Sequence, residues 1–335
     1  MVRTIVVGVV LSQLFPPGAI ARGGTMQLEH LATALACAED PGAEARRIRA
    51  VLKRLSRQAA EATAGASSLQ ERRERFDRFF FRTAGFGGEA DASTREGLLL
   101  HRVLERRRGT CVGLAQAYLA LAERLGLPVV AVATPNHIFV RWLEEGRHVN
   151  VELLEAGKQI ADEEYRQRNR IREADPSNPI FMRNLNTTEL LARVYNNLGV
   201  IRSRSGDIDG GISNYGEAIR LDPRFPAPHY NRGLDHLNAG RVQNALSDLD
   251  AALTLHPADA WALNNRGLAR LRIGKWEAAI EDLEKALAVD PTLPAGRKNL
   301  EIARLLLRDS KLPANSPRQE GRQEGAGGEL AEPRP

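Results

Sequence analysis

Apolar residues recur at three- and four-residue spacing through Met26–Glu39, Ala43–Thr63 and Leu69–Thr83, the pattern of amphipathic helices. Phe76, Phe79, Phe80 and Phe81 fall in the third stretch and read as the aromatic part of a core. Gly85-Phe86-Gly87-Gly88 closes it. A further helix is expected from Cys111, with Thr110 as its cap and Gly126 as its stop. The period then changes. Val129–Thr134, His137–Trp142 and Arg147–Leu153 read as strands, separated by a Pro135-Asn136 turn and a Glu-Glu-Gly turn. On the last strand Asn150 and Glu152 share one face, while Val149 and Val151 take the other. Residues 22–160 are therefore expected to form a mostly helical α+β domain with a small antiparallel sheet, and 161–188 a short polar connection.

Beyond the connection the sequence repeats every 34 positions. Gly199, Gly233 and Gly267 are in phase, as are Gly206, Gly240 and Gly274; Ala218, Ala252 and Ala286; and Pro223, Pro257 and Pro291. Gly211, Ala245 and Ala279 keep a small residue in register, and Tyr215, Leu249 and Leu283 a large apolar one. This resembles the tetratricopeptide repeat. Small residues let two antiparallel helices approach closely, the second glycine turns between them, and the proline stops the second helix. Residues 189–309 should thus be an all-α solenoid of three repeats with a closing helix at Pro294–Leu307. Its concave wall is expected to present Arg193, Asn196, Asn197, Tyr230, Asn231, Trp261, Asn264 and Asn265 to a protein or extended peptide. The in-phase asparagines could equally tie neighbouring helices together. Residues 310–335, rich in Pro, Gly, Gln, Glu and Arg, lack the means to build a core.

Composition adds limits. With 47 basic against 42 acidic residues the chain carries a formal charge of +5, dispersed in short basic runs interleaved with glutamate. No nucleic-acid module accompanies them, so nucleic acid is not an expected partner. A positive start, an apolar run from Ile5 to Phe15 and Ala19-Ile20-Ala21 form the pattern of a bacterial secretory signal peptide cleaved after Ala21. The expectation is a periplasmic or secreted protein without stable membrane insertion; a cytoplasmic one is the alternative. The chain has two cysteines. Cys37 reads as a small helix-packing residue, and two cysteines form no disulfide framework.

Cys111 has a different setting. A thiol in the first turn of a helix sees the positive end of the dipole, which favours thiolate. An imidazole at His137 could pair with it, and Asn150 or Glu152 could orient that imidazole. Gly109-Thr110-Cys111, the helix ending Leu125-Gly126-Leu127-Pro128, and His137 at the head of a strand resemble the transglutaminase-like superfamily. The Glu-Arg-Arg-Arg-Gly approach and the attached repeats are similar to its bacterial SirB-type branch. The resemblance implies a papain-like fold with Cys111 as nucleophile and His137 as general base. It aligns Glu152 with the third, usually aspartate, position, with Asn150 competing for the role.

Seven histidines without close ligand spacing, and the lack of Cys-x-x-Cys, His-Glu-x-x-His or a phosphate loop, give no reason to expect a metal or cofactor. Two functions remain. One is an exported cysteine peptidase, amidase or acyl transferase whose repeats hold a partner or substrate. The other is a non-catalytic adaptor whose repeats scaffold a complex.

Overall fold

The computed structural model describes residues 41–89, 94–169, 171, 181–293 and 295–311. The expected leader at 1–21, the expected helix at Met26–Glu39, Cys37, Pro294 and the residues beyond 311 lie outside them. By internal contacts the described residues divide into a unit of 41–201 and a unit of 202–311. That division falls inside the first helix of the first repeat.

In the first unit, helix α1 (Pro41–Thr63) turns Ile48, Leu52, Leu55 and Ala59 inward, one residue per turn. Helix α2 (Leu69–Asp77) starts where the Ser68 side chain accepts the Glu71 N–H, and Glu71 in turn accepts the Ser67 N–H. The single helix expected to Thr83 instead changes at Arg78 into a π-helical turn, Arg78–Thr83, closed by the Ala84 N–H on the Phe79 carbonyl. Phe76, Phe79 and Phe80 are buried as expected, and Phe81 packs edge-on against Phe80.

Two short strands, β1 (Gly87–Gly88) and β2 (Arg108–Gly109), pair in parallel on either side of helix α3 (Leu100–Arg106). Helix α4 (Cys111–Arg124) follows at once and buries Leu114, Ala115, Ala117, Tyr118 and Leu121. Gly126, at φ +63, ends it. Strands β3 (Val129–Ala133), β4 (Ile138–Glu144), β5 (Arg147–Glu152), β6 (Lys158–Gln159) and β7 (Asn184–Leu185) make an antiparallel sheet in the order β6-β5-β4-β3-β7.

Helix α4 packs on β3 and β4. There the Trp142 indole donates to the Tyr118 hydroxyl at 2.7 Å, which donates to Asp77 Oδ1 at 2.5 Å. Burial raises the Asp77 carboxyl to about 6, against the pull of the Tyr118 bond. The other face is covered by helix α5 (Asp162–Arg168), whose Tyr165 ring stacks on Phe139 at 3.8 Å. This helix lies in the segment read from sequence as a connection.

Helix α6 (Thr187–Arg204) leads into the second unit, which holds helices α7 (Ile208–Leu221), α8 (Pro226–Asn238), α9 (Val242–Leu255), α10 (Ala260–Arg272), α11 (Trp276–Val289) and α12 (Gly296–Ser310). The closing helix is described from Gly296 to Ser310; the expected start at Pro294 falls outside the described residues. Gly206, Gly240 and Gly274 take φ of +89, +73 and +75 in the turns, a conformation that disfavours side chains. Gly267 is required by proximity: a Cβ there would sit 2.9 Å from Leu283. Ala218, Ala252, Ala286, Ala245, Ala279, Leu249 and Leu283 are fully buried.

A polar register runs beside this apolar one. Arg232 holds Asp248 with two hydrogen bonds of 2.8 and 2.7 Å, and 34 residues on Arg266 holds Asp282 with two of 2.9 and 2.7 Å. Arg270 also reaches Asp282, at 2.8 Å. Replacing Arg266 by methionine leaves Asp282, only 1% exposed, with Arg270 alone. We expect the repeat unit to lose about 2 kcal/mol, the contribution of hydrogen bonds to a charged group, since Arg270 still answers the carboxylate. A shift of its urea transition measures this.

Candidate active site

Thr110 begins the site. Its side chain accepts the Gly113 N–H at 3.2 Å, and its carbonyl accepts the Leu114 N–H at 2.8 Å, which defines the helix start. Its own N–H donates to the Gly97 carbonyl at 2.7 Å, and Gln116 donates to the Leu98 carbonyl at 2.8 Å. The first turn of α4 is thereby fastened to the 97–98 backbone. Gly113 makes the approach possible, since a Cβ there would lie 2.1 Å from the Gly97 oxygen. Cys111 occupies this first turn as a half-buried free thiol. Its backbone N–H has no acceptor within the helix.

His137 stands at the entrance to β4, where its carbonyl accepts the Thr134 N–H at 2.9 Å. Its ring lies near enough to Cys111 for the thiol to help raise the imidazole pKa. Nε2 bonds Glu152 Oε2 at 2.7 Å, which leaves Nδ1 for the thiol. The Glu152 carboxylate is 3% exposed and accepts two further donors, the Leu154 N–H at 2.9 Å on Oε1 and the Tyr165 hydroxyl at 2.9 Å on Oε2.

Burial by itself would lower the imidazole pKa; the interactions with Cys111 and Glu152 outweigh it and raise His137 to about 10. Burial likewise works against the Glu152 carboxylate, yet the bond from His137, assisted by Leu154 and Tyr165, holds it below the usual range. Both directions favour an imidazolium beside a carboxylate.

Of the four residues singled out from the sequence, the structure bonds His137 to Glu152 and sets Cys111 where it acts on the same imidazole. Asn150 stands outside this group. Its Oδ1 accepts from Arg141 Nε at 2.8 Å, and its amide donates to Ile160 O at 3.0 Å and Asp162 Oδ1 at 2.7 Å. Asn150 and Glu152 do share a face, but Asn150 stands opposite Arg141, two pairs further from the strand end that bears His137.

The expected groove wall is corrected in part. Tyr230, Asn264 and Asn265 are interior: Asn265 donates to the Tyr230 hydroxyl at 3.1 Å, and Asn299 donates to Asn264 Oδ1 at 3.0 Å. These amides link α10 to α8 and α12, so their hydrogen bonds are spent within the array. Arg193 and Asn196 are also buried, whereas Asn197, Asn231 and Trp261 are half-buried. Asn299 lies 34 residues beyond Asn265, a fourth member of the asparagine column that the sequence reading passed over. Tyr165 was missed as well; the signal was the spacing of Asp162, Tyr165 and Asn169 along one helix face. Among the described residues no His, Cys, Asp and Glu side chains gather as a metal site. No helix among them is long and apolar enough to cross a membrane.

This architecture agrees with what the chain resembles. Residues 46–196 match the model of the transglutaminase-like superfamily, and residues 196–260 and 236–308 match two tetratricopeptide repeat models. The chain therefore carries a transglutaminase-like domain followed by tetratricopeptide repeats. It is 26% identical over 167 residues to the UPF0162 protein of Xylella fastidiosa strain Temecula1, covering 48% of this chain and 59% of that protein's length. A stretch of 69 residues is 30% identical to mouse F-box only protein 21, covering 21% of this chain and 11% of that one. Among solved structures, the first tetratricopeptide domain of human RPAP3 is 26% identical with a TM-score of 0.35, covering 36% of this chain and 95% of that one. The Arabidopsis OM64 tetratricopeptide domain is 21% identical with a TM-score of 0.35, covering 35% and 98%.

The raised His137 value fixes the sign of a pH effect. Stability contributed by its charged form is complete below the ordinary value of 6.5 and is lost as pH climbs through about 10. Urea unfolding should show the parent's advantage over His137→Gln steady below pH 6.5 and shrinking from there to pH 10.

Proposed function

We propose that the transglutaminase-like domain is a thiol enzyme acting on amide bonds, as a hydrolase or an acyl transferase, and that the repeats hold its protein partner or substrate. The observation that carries this reading is the single imidazole bonded to the buried Glu152 at 2.7 Å and shifted upward by its interaction with Cys111.

In this reading the Cys111 thiolate attacks the amide carbonyl while the Cys111 N–H, at the head of α4, faces the developing oxyanion. His137 delivers its proton to the departing amine as the tetrahedral intermediate collapses to a thioester. The neutral imidazole then takes a proton from water, or from an acceptor amine, as that nucleophile attacks the thioester and releases Cys111. Glu152 keeps the ring aligned and stabilises its charged form. The SirB-type placement, resting on the Glu-Arg-Arg-Arg-Gly approach at 105–109, the upstream helices and the attached repeats, is part of the same proposal. So is a site of action outside the cytoplasm, supported by the leader-like residues 1–21. A peptide lodged along the repeats would lean on the half-buried Asn231 and Trp261 rather than on the interior asparagines.

The test is the pH profile of iodoacetamide alkylation at Cys111. An isolated thiol with pKa ~8.5 is almost wholly protonated at pH 6. We expect the parent to react at pH 6 at about ten times the rate of His137→Ala or more, with the two rates converging above pH 9. Superimposable profiles would remove the basis for a thiol enzyme.

A further inference from the structure

Helix α5 sends three side chains from one face to the elements that carry His137 and Glu152. At its start Asp162 accepts from Arg141 Nη2 at 2.6 Å and from the Asn150 amide at 2.7 Å, and its other oxygen lies 3.1 Å from His148. In its middle, Tyr165 lays its ring on Phe139 and donates its hydroxyl to Glu152. Just past its end, Asn169 Oδ1 accepts from the Thr134 hydroxyl at 2.8 Å, beside the turn that leads into His137. Residues 162, 165 and 169 lie on one side of a helix, so a single rigid element reaches both partners of the candidate site.

Tyr165 is the member that touches the candidate site itself. Its hydroxyl and His137 Nε2 share one oxygen, Glu152 Oε2, while the Leu154 N–H occupies the other. A carboxylate this deeply buried has little access to water to replace a missing donor. The ring is 1% exposed and clamped face to face with Phe139, at an interplanar angle of 8°, so the hydroxyl has little freedom to leave. Two donors on one oxygen hold the carboxylate against rotation about its last bond. The imidazole inherits that orientation through its 2.7 Å bond.

The geometry points to Tyr165 as a positioning residue that acts through Glu152 to aim His137 at Cys111. The inference rests on the thiol-enzyme reading. Tyr165→Phe keeps the stacked ring and removes only the hydroxyl. We expect alkylation of Cys111 by iodoacetamide in the full chain to slow three- to tenfold at pH 6, with the profile displaced towards higher pH. In a Glu152→Gln background the same substitution should change the rate less than twofold, because the group through which it acts has gone.

The idea is overturned if Tyr165→Phe superimposes on the parent while His137→Ala does not. It is also overturned if the substitution slows alkylation equally in both backgrounds, as general loosening of the fold would. A parent profile indifferent to His137→Ala would instead overturn the thiol-enzyme reading, and this inference with it. Tyr165→Trp retains an aromatic cover without the hydroxyl at its place. A near-parent profile in that variant would also count against the proposal, whether or not Tyr165→Phe folds.

Discussion

A carboxylate held almost entirely out of water is tolerable only when donors fill its acceptor sites, and Glu152 is such a group. Three donors from three parts of the chain meet on it: an imidazole before β4, a backbone N–H two residues on, and a phenol from α5. Removing any of them exposes the others to the cost of an unanswered buried charge. The candidate site is therefore as much a folding constraint on this half of the molecule as a place where chemistry can occur. The close approach of Gly113 to Gly97 serves the same arrangement from the other side, fixing the helix end that carries Cys111.

What could be read in advance follows from how local each signal is. Helix α4 and its cap at Thr110 are written in contiguous residues, and the β-rich runs between turn residues through Val129–Leu153 yield the three long strands. The 34-residue period gave the repeats with their turns and buried alanines in place. Deciding between Asn150 and Glu152 required more, because both lie on the same face of β5. The choice depends on which end of the neighbouring strand bears His137, and that is a matter of pairing. Tyr165 was less accessible still. It sits among Asp, Glu, Arg and Gln in a stretch that looks solvated, and only the return of α5 over the sheet gives its ring a partner in Phe139.

The repeats teach a related lesson. Periodic asparagines suggest a row of groups offered to a ligand, yet burial turns Asn264 and Asn265 into ties between helices. Period reports that a position matters in every unit and is silent on whether it faces inward. The bidentate pairs Arg232–Asp248 and Arg266–Asp282 have the same character. They bind the two helices of a unit by charge where the glycine and alanine columns bring them together by shape.

Strand β4 is buried on both sides from Ile138 to Trp142. Hydrophobicity therefore gives it little reason to prefer one alignment over another, whereas a slip by one residue would turn every side chain to the opposite face. Arg141, opposite Asn150 and tied to Asp162, is the charged exception within that run. A misaligned strand would drive its guanidinium into the apolar side where Trp142 belongs. Arg141 thus works as a key cut for one lock: it takes no part in the candidate chemistry, yet it fixes the alignment in which the histidine and the glutamate meet.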